Sequence, residues 1–139
     1  IESRGMPQSP PELVDGLHDC LQLRFPGATE FQWPLKTANG IKSFAVAGPF
    51  ETDDGDILTN WALDGFGIIL KPYFEVIQHI KSGALVPVLP NNRPPDLQIG
   101  CLYPHRKQQD PKTRFFIDFI SQHIRKSMKS VMEGTQLPR

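Results

Sequence analysis

The 139 residues predict an α/β fold. Apolar runs of strand length, centred near residues 44, 68 and 86, alternate with helical stripes near 57 and 76, which is the grammar of strands covered by helices. Gly or Pro closes most of these segments, at Gly65, Pro72 and Gly83. Asn39-Gly40 lies between two alternating stretches and signals a hairpin, because both residues tolerate the positive φ of a primed turn.

Taken in order, "SPPELVDG" reads as a short helix with Ser9 ahead of proline in the first turn and Gly16 past the end. Residues 20–24, "CLQLR", form a short apolar strand, and "FPGATE" is a loop. "FQWPLK" at 31–36 is an edge strand or a broken one, since Pro34 lacks a ladder donor. Residues 31–38 and 41–48 should pair antiparallel around Asn39-Gly40. The second of these places Ile41, Ser43, Ala45 and Ala47 on one face and Phe44 and Val46 on the other, so both faces are expected to be covered.

Ile57, Leu58, Trp61 and Ala62 then make a helical stripe that Gly65 ends as a left-handed cap. "FGIIL" is a buried strand stopped by Pro72. The next helix sets Phe74, Ile77 and Ile80 on one face and ends at Gly83. "ALVPVLP" is a strand interrupted by Pro87, "NNRPPD" a loop and 97–104 a strand ended by Pro104. Asp110-Pro111 starts the last helix, whose apolar stripe holds Phe115, Phe116, Phe119, Ile120 and Ile124, and the tail after Glu133 frays.

Fifteen basic and fifteen acidic side chains give zero net charge, which argues against a phosphate-gripping surface. No apolar run approaches a bilayer span, and no secretion signal opens the chain. The start "IESRGMPQSPPELVDG" has no initiator Met, so a fragment or processed piece is expected. Cys20 and Cys101 lie in apolar stretches and read as two buried thiols of a reducing cytoplasm, with a disulfide between them left open. His18, Cys20 and His105 lack the local spacing of a metal site.

The acids of "ETDDGDILTNWALDG" need a reason. Gly55 comes too early for a calcium loop, and apolar residues fall where ligands should be. No nucleophile with a base, phosphate loop or dinucleotide fingerprint is present, so neither an enzyme nor a cofactor is indicated. Capping explains most of the acids: Thr52 or Asp53 as N-cap, with Asp56 close behind, would offset the macrodipole and accept free amides. A sharper reading adds place. "GPFETDD" leads from a strand's carboxyl end into a helix, and such loops border the ligand crevice of open α/β sheets. Thr52 and backbone amides would then meet a carboxylate, or the acids would meet hydroxyls or an amine, with Phe50 as an apolar wall.

In order along the chain, "SRGMPQSPPEL" followed by "HDCLQLR", Trp33, the strand into "GPF", "DDGDILTNWALDGFGIILKPYFEV", "KSGALVPVLPNNRPP" and "LYPHRKQQDPKTRFFIDFI" resembles the effector-binding domain of LysR-type transcriptional regulators. No single piece is specific; their order and spacing over residues 3–125 are. The resemblance implies two α/β lobes like a type II periplasmic binding protein, with mixed sheet flanked by helices and a small-molecule effector between the lobes. Residues 1–103 would be the second lobe, 104–132 a returning segment and helix of the first lobe, and 133–139 a frayed tail. It also implies a bacterial, cytoplasmic, non-enzymatic homo-oligomer that touches DNA only through an N-terminal domain absent here. Carried over by position, the effector side is Phe50, Glu51, Thr52, Asp53 and Gly67, and the hinge is Tyr103 and Pro104. Each has a plainer explanation: Phe50 and Tyr103 as core, Gly67 as a packing glycine, Lys71 as a solvated strand end. Phe115, Phe116 and Phe119 would need cover from a missing segment, a partner chain or a swapped element. Two other functions fit the same residues: a periplasmic solute-binding lobe, and a dimerisation module without ligand.

Overall fold

The computed structural model describes residues 4–24, 31–100, 102 and 110–133, with side chains through Lys129. The chain divides into two compact units, Ile1–Asp96 and Leu97–Arg139.

The first unit is built around the stretch 20–24. Strand β1 (Gln22–Leu23) runs parallel to β4 (Glu51–Thr52), pairing Gln22 with Glu51 and Leu23 with Thr52. On its other side Cys20 forms a parallel bridge with Ile68. The amides of Cys20, Gln22 and Arg24 donate to the carbonyls of Ala47, Phe50 and Thr52, while that of Leu21 donates to Ile68 at 2.8 Å. The result is a parallel ladder with 20–24 in the middle. Two glycines permit its closeness. A Cβ on Gly48 would lie inside 3.0 Å of the Cys20 backbone, and one on Gly67 inside 3.0 Å of the Asp19 carbonyl oxygen.

Because strand side chains alternate between faces, the ladder has a core on each side. Cys20 packs on one side with Leu13, Trp33, Leu35, Val46 and Leu89, joined by Ile68 and Leu70. Leu21 packs on the other with Leu58 and Ala62, joined by Leu23 and Ile69. Gln22 is a buried polar exception, and its side-chain amide donates to the Val46 carbonyl at 2.8 Å. Burial of this kind is worth about 25 cal/mol per Å² of apolar surface, and it requires strands that are apolar on both faces.

Beside the ladder lies the expected hairpin, β2 (Gln32–Thr37) with β3 (Gly40–Ala45), antiparallel from Gln32–Ala45 to Thr37–Gly40. Pro34 is tolerated because β2 pairs on one side only. The turn differs from the primed type that Asn39-Gly40 predicts. Only Gly40 has positive φ, at 99°. Thr37 holds the turn instead: its Oγ1 donates to the Gly40 carbonyl and accepts the Asn39 amide. Strand β3 is covered on one face, not two, since Ile41, Ser43 and Ala45 are exposed while Phe44, and Val46 just beyond the strand, pack on the core. A second strand of a two-stranded ribbon has nothing to place on its outer face.

Helix α1 (Gly55–Leu63) buries Leu58 and Ala62, leaves Ile57 exposed and is followed by Gly65 at φ 83°. Helix α2 (Tyr73–Lys81) buries Val76 and Ile77, and Phe74 falls outside the buried face that the sequence assigned to it. Other expected elements are shorter. "SPPELVDG" contains only a 3₁₀ turn at Pro10–Leu13, where two prolines supply no amide donor. Ser9 does not cap it; the Ser9 hydroxyl and the Gln8 amide both donate to the Glu12 carboxylate. "FGIIL" is held by the single bridge at Ile68 and is half-buried. "ALVPVLP" joins no ladder. Pro87 and Pro90 cannot donate, and Leu89 turns to φ 51° to reach the core.

In the second unit, residues 97–100 form no ladder, and the rest of that expected strand, with Cys101, lies outside the described residues apart from Leu102. Helix α3 (Pro111–Glu133) begins where Asp110-Pro111 predicts, with the Lys112 amide donating to Asp110 Oδ1 at 3.0 Å. Phe115, Phe116 and Phe119 on it are exposed. Residues 134–139, expected to fray, are also outside the described residues. No described helix is long and apolar enough to cross a membrane.

Candidate functional site

The parallel strands all deliver their carboxyl ends to one edge. Leu23 and Thr52 are level across the β1–β4 pair, and on the other flank Ile68 bridges Cys20 in the same parallel sense. In open α/β sheets the crevice beyond this edge is where ligands are met. The turn from β4 into α1 lies at this edge and forms its rim of exposed residues.

Four of the proposed residues sit together on that rim. Phe50 is 40% exposed and packs against Trp61, tilted, and Phe66, edge to face, with ring centroids 5.5 and 5.6 Å away. It is therefore neither core nor isolated, but part of an aromatic cluster at the surface. Glu51 forms an ion pair with Arg24, which is the next residue of the central strand stretch. Thr52 is half-buried, and its Oγ1 accepts the Asp54 amide at 3.0 Å. Asp53 is exposed. Gly67 lies apart from them at the other flank of the ladder, where its lack of a side chain admits the Asp19 carbonyl. Tyr103 and Pro104 lie outside the described residues.

The cap is one residue later than the sequence suggested. Asp54, not Thr52 or Asp53, is the N-cap of α1, and its Oδ1 accepts the amides of Asp56 at 2.8 Å and Ile57 at 3.1 Å. Those two donors of the first turn are thus already satisfied by a carboxylate. This narrows the picture in which free helix amides receive a ligand, because an anion arriving there would compete with Asp54.

Lys71 is the largest departure. Expected as a solvated strand end, it has a side chain only 6% exposed and an ion pair with Glu75, which is 38% exposed. A Cβ placed on Gly55 would come 2.7 Å from Lys71 Nζ, so the ammonium sits against the first residue of α1. Sequence reasoning missed Arg24, Gly55, Lys71 and Glu75. The only sequence signal was the i, i+4 Lys–Glu spacing across Pro72, which is common on surfaces.

Cys20 is fully buried, as expected. Burial, with Asp19 beside it, pushes its thiol up to about 11. A thiol held protonated in this way is a poor nucleophile and metal ligand. Among the described residues no group of three His, Cys, Asp or Glu side chains could hold a metal ion.

Comparison with known proteins gives the site its context. A family profile described as the LysR substrate binding domain matches residues 3–125. The HTH-type transcriptional activator TtdR of Escherichia coli K12 is 31% identical over 137 residues, covering 99% of this chain and 43% of that protein. The HTH-type transcriptional regulator DmlR of the same strain is 34% identical over 92 residues, covering 66% of this chain and 30% of that protein. The solved structure of CrgA, a LysR-type transcriptional regulator from Neisseria meningitidis, superposes with a TM-score of 0.65 at 28% identity, covering 88% of this chain and 40% of that one. The chain thus spans less than half the length of the curated relatives it matches first.

Proposed function

This chain belongs to the LysR family of transcriptional regulators, through its substrate-binding domain, and from that premise we propose that it is the sensing portion of such a regulator. A small molecule is received at the carboxyl edge of the parallel ladder, and its binding shifts the balance between domain arrangements that control transcription. Residues 1–103 form the second lobe of the effector domain, and 104–132 return to the first lobe. The effector-facing residues are Phe50, Glu51, Thr52 and Asp53, with Gly67 shaping the sheet behind them and Tyr103 and Pro104 acting as hinge. The domain pairs with a second copy of itself, and contact with DNA lies in a part of the protein outside this chain.

One observation carries the proposal. The turn Phe50–Asp54 leaves the end of parallel strand β4, level with the end of β1, and enters the N-terminus of α1. The relatives' names are those of regulators rather than enzymes or exported binding proteins, which favours a sensor over a solute carrier.

Hydrogen exchange on the full-length protein tests it. Small metabolites are added one by one, and an effector should protect the amides of residues 50–56 while changing transcription from the target promoter. If effectors alter transcription while these amides exchange as before, the crevice is elsewhere and the proposal fails. Intact dimers with no responsive metabolite would instead support a ligand-free dimerisation module.

A further inference from the structure

We infer that Lys71 is the specificity-determining residue of this crevice, and that it selects effectors bearing a carboxylate, for which Glu75 holds the place. The inference rests on the crevice proposed above and goes beyond it by naming the residue that reads the ligand and the ligand's chemical class.

The position of Lys71 is costly for a purely structural residue. Its ammonium is buried, which strips its hydration. It also lies at the start of α1, against the positive end of the macrodipole. The three residues before it, Ile68, Ile69 and Leu70, show what strand packing alone asks for at this place. Gly55 is the complementary evidence. Its backbone is outside the left-handed region, so any residue could stand there conformationally. What a Cβ there would meet is the Lys71 ammonium, 2.7 Å away, which would have to move from its place to admit it. Gly55 and Lys71 therefore form a matched pair, one leaving room for the other's charge.

The counterion is arranged to be exchangeable. Glu75 is 38% exposed, so its carboxylate can turn into water without being stranded in the interior. The neighbouring acids do not compete for Lys71 in the same way. Glu51 is paired with Arg24, and Asp54 is bonded to the amides of Asp56 and Ile57. Asp53 and Asp56 are exposed. A ligand carboxylate taking the place of Glu75 would form a charge-assisted hydrogen bond with the ammonium, beside Gly55 at the start of α1.

The test uses the full-length protein with acetate, succinate and benzoate, each set against its uncharged amide. Thermal shift reports affinity, and hydrogen exchange at residues 50–56 reports location. Carboxylates should bind and amides should not. Lys71→Met should weaken carboxylate binding roughly 10- to 100-fold, the range of a charged hydrogen bond. Gly55→Ala should weaken it as well, although the lysine and its charge remain. Glu75→Gln should tighten it, because a competitor for the ammonium is gone; a merely structural ion pair would lower stability without raising affinity. If Lys71→Met does not fold, Gly55→Ala and Glu75→Gln carry the same test. Unchanged carboxylate affinity in these variants, or amides binding as well as carboxylates, overturns the inference. Protection at 50–56 in either case leaves the crevice proposal standing. No protection there by any compound overturns both.

Discussion

Replacing Gly48 with alanine probes how tightly the parallel ladder is drawn together. The added carbon would lie 2.8 Å from the carbonyl carbon of Cys20 and 2.9 Å from its nitrogen, and closer still to its oxygen. These are backbone atoms of the central strand, so no side chain can swing aside to relieve them. Since 3.0 Å is the least a real Cβ tolerates and that oxygen lies about 1 Å inside it, the strands must part by about 1 Å. The bond most exposed to that movement is the Cys20 amide to the Ala47 carbonyl, already 3.2 Å long. Overpacking of this kind costs about 1–3 kcal/mol, and weakening one buried hydrogen bond adds about 0.5–1.5 kcal/mol. The expected loss is about 2–4 kcal/mol. Urea unfolding followed by circular dichroism would register it as a midpoint lower by about 1–2 M, given a slope of about 2 kcal/mol per M, the middle of the usual range. Gly55→Ala is the internal control, because the obstacle there is the end of a lysine side chain and the change should stay within about 1 kcal/mol. A Gly48→Ala midpoint equal to the native one would show that the strands are not this close, and the ladder as described would be wrong.

Other expectations follow from the same structure. Asp54→Ala should lower stability by about 1 kcal/mol, within about 0.5–2, because the Asp56 and Ile57 amides lose their acceptor; Asp54→Asn, which keeps the acceptor, should recover most of it in the same urea assay. Leu58→Ala should cost about 2–5 kcal/mol, since Leu58 is fully buried between α1 and the ladder; a loss below 1 kcal/mol would contradict that packing. Cys20 should resist a thiol reagent near neutral pH until the protein is unfolded, as peptide mapping of the labelled thiol can show, because its thiol is pushed up to about 11. Glu12 is held below its ordinary 4.5, first by the Gln8 amide and then by the Ser9 hydroxyl. A lowered carboxyl binds fewer protons folded than unfolded, so its contribution is present above the ordinary value and lost as pH falls through the folded one. Glu12→Gln should therefore narrow the gap between unfolding midpoints measured above and below that range, and an unchanged acid limb would remove Glu12 from the account.

Local chemistry made much of the fold legible in the residue order. Asp110-Pro111 specified the start of α3, Gly65 the end of α1, and Pro34 an edge strand. These signals act within a few residues and survive folding. What escaped depends on pairs that meet only in three dimensions. Asn39-Gly40 announced a hairpin, yet Thr37 decided the turn through its hydroxyl. "ALVPVLP" reads as a strand by composition, but its prolines remove donors and no described partner completes a ladder. On the rim, the sequence pointed to Phe50 through Asp53 because a strand-to-helix loop rich in acids is conspicuous. It did not reveal which acid caps, since Thr52, Asp53 and Asp54 are all suitable residue types. Lys71 was passed over because a lysine before a proline reads as a strand end, and its place against Gly55, sixteen positions earlier, exists only in the folded chain.

The order of strands in the ladder bears on how the first unit comes together. The stretch 20–24 is flanked by 47–52 and by Ile68, and the whole hairpin lies between the first two of these along the chain. The hairpin closes a short loop and needs little entropy to form, whereas the parallel neighbours meet only after long loops are drawn shut. The ribbon 32–45 is therefore expected to be assembled early, and the docking of 20–24 between its flanks to complete the domain late. A finished rim needs that last step, so a lesion in the middle strand should be felt as slow maturation of the first unit before it is felt as lost stability.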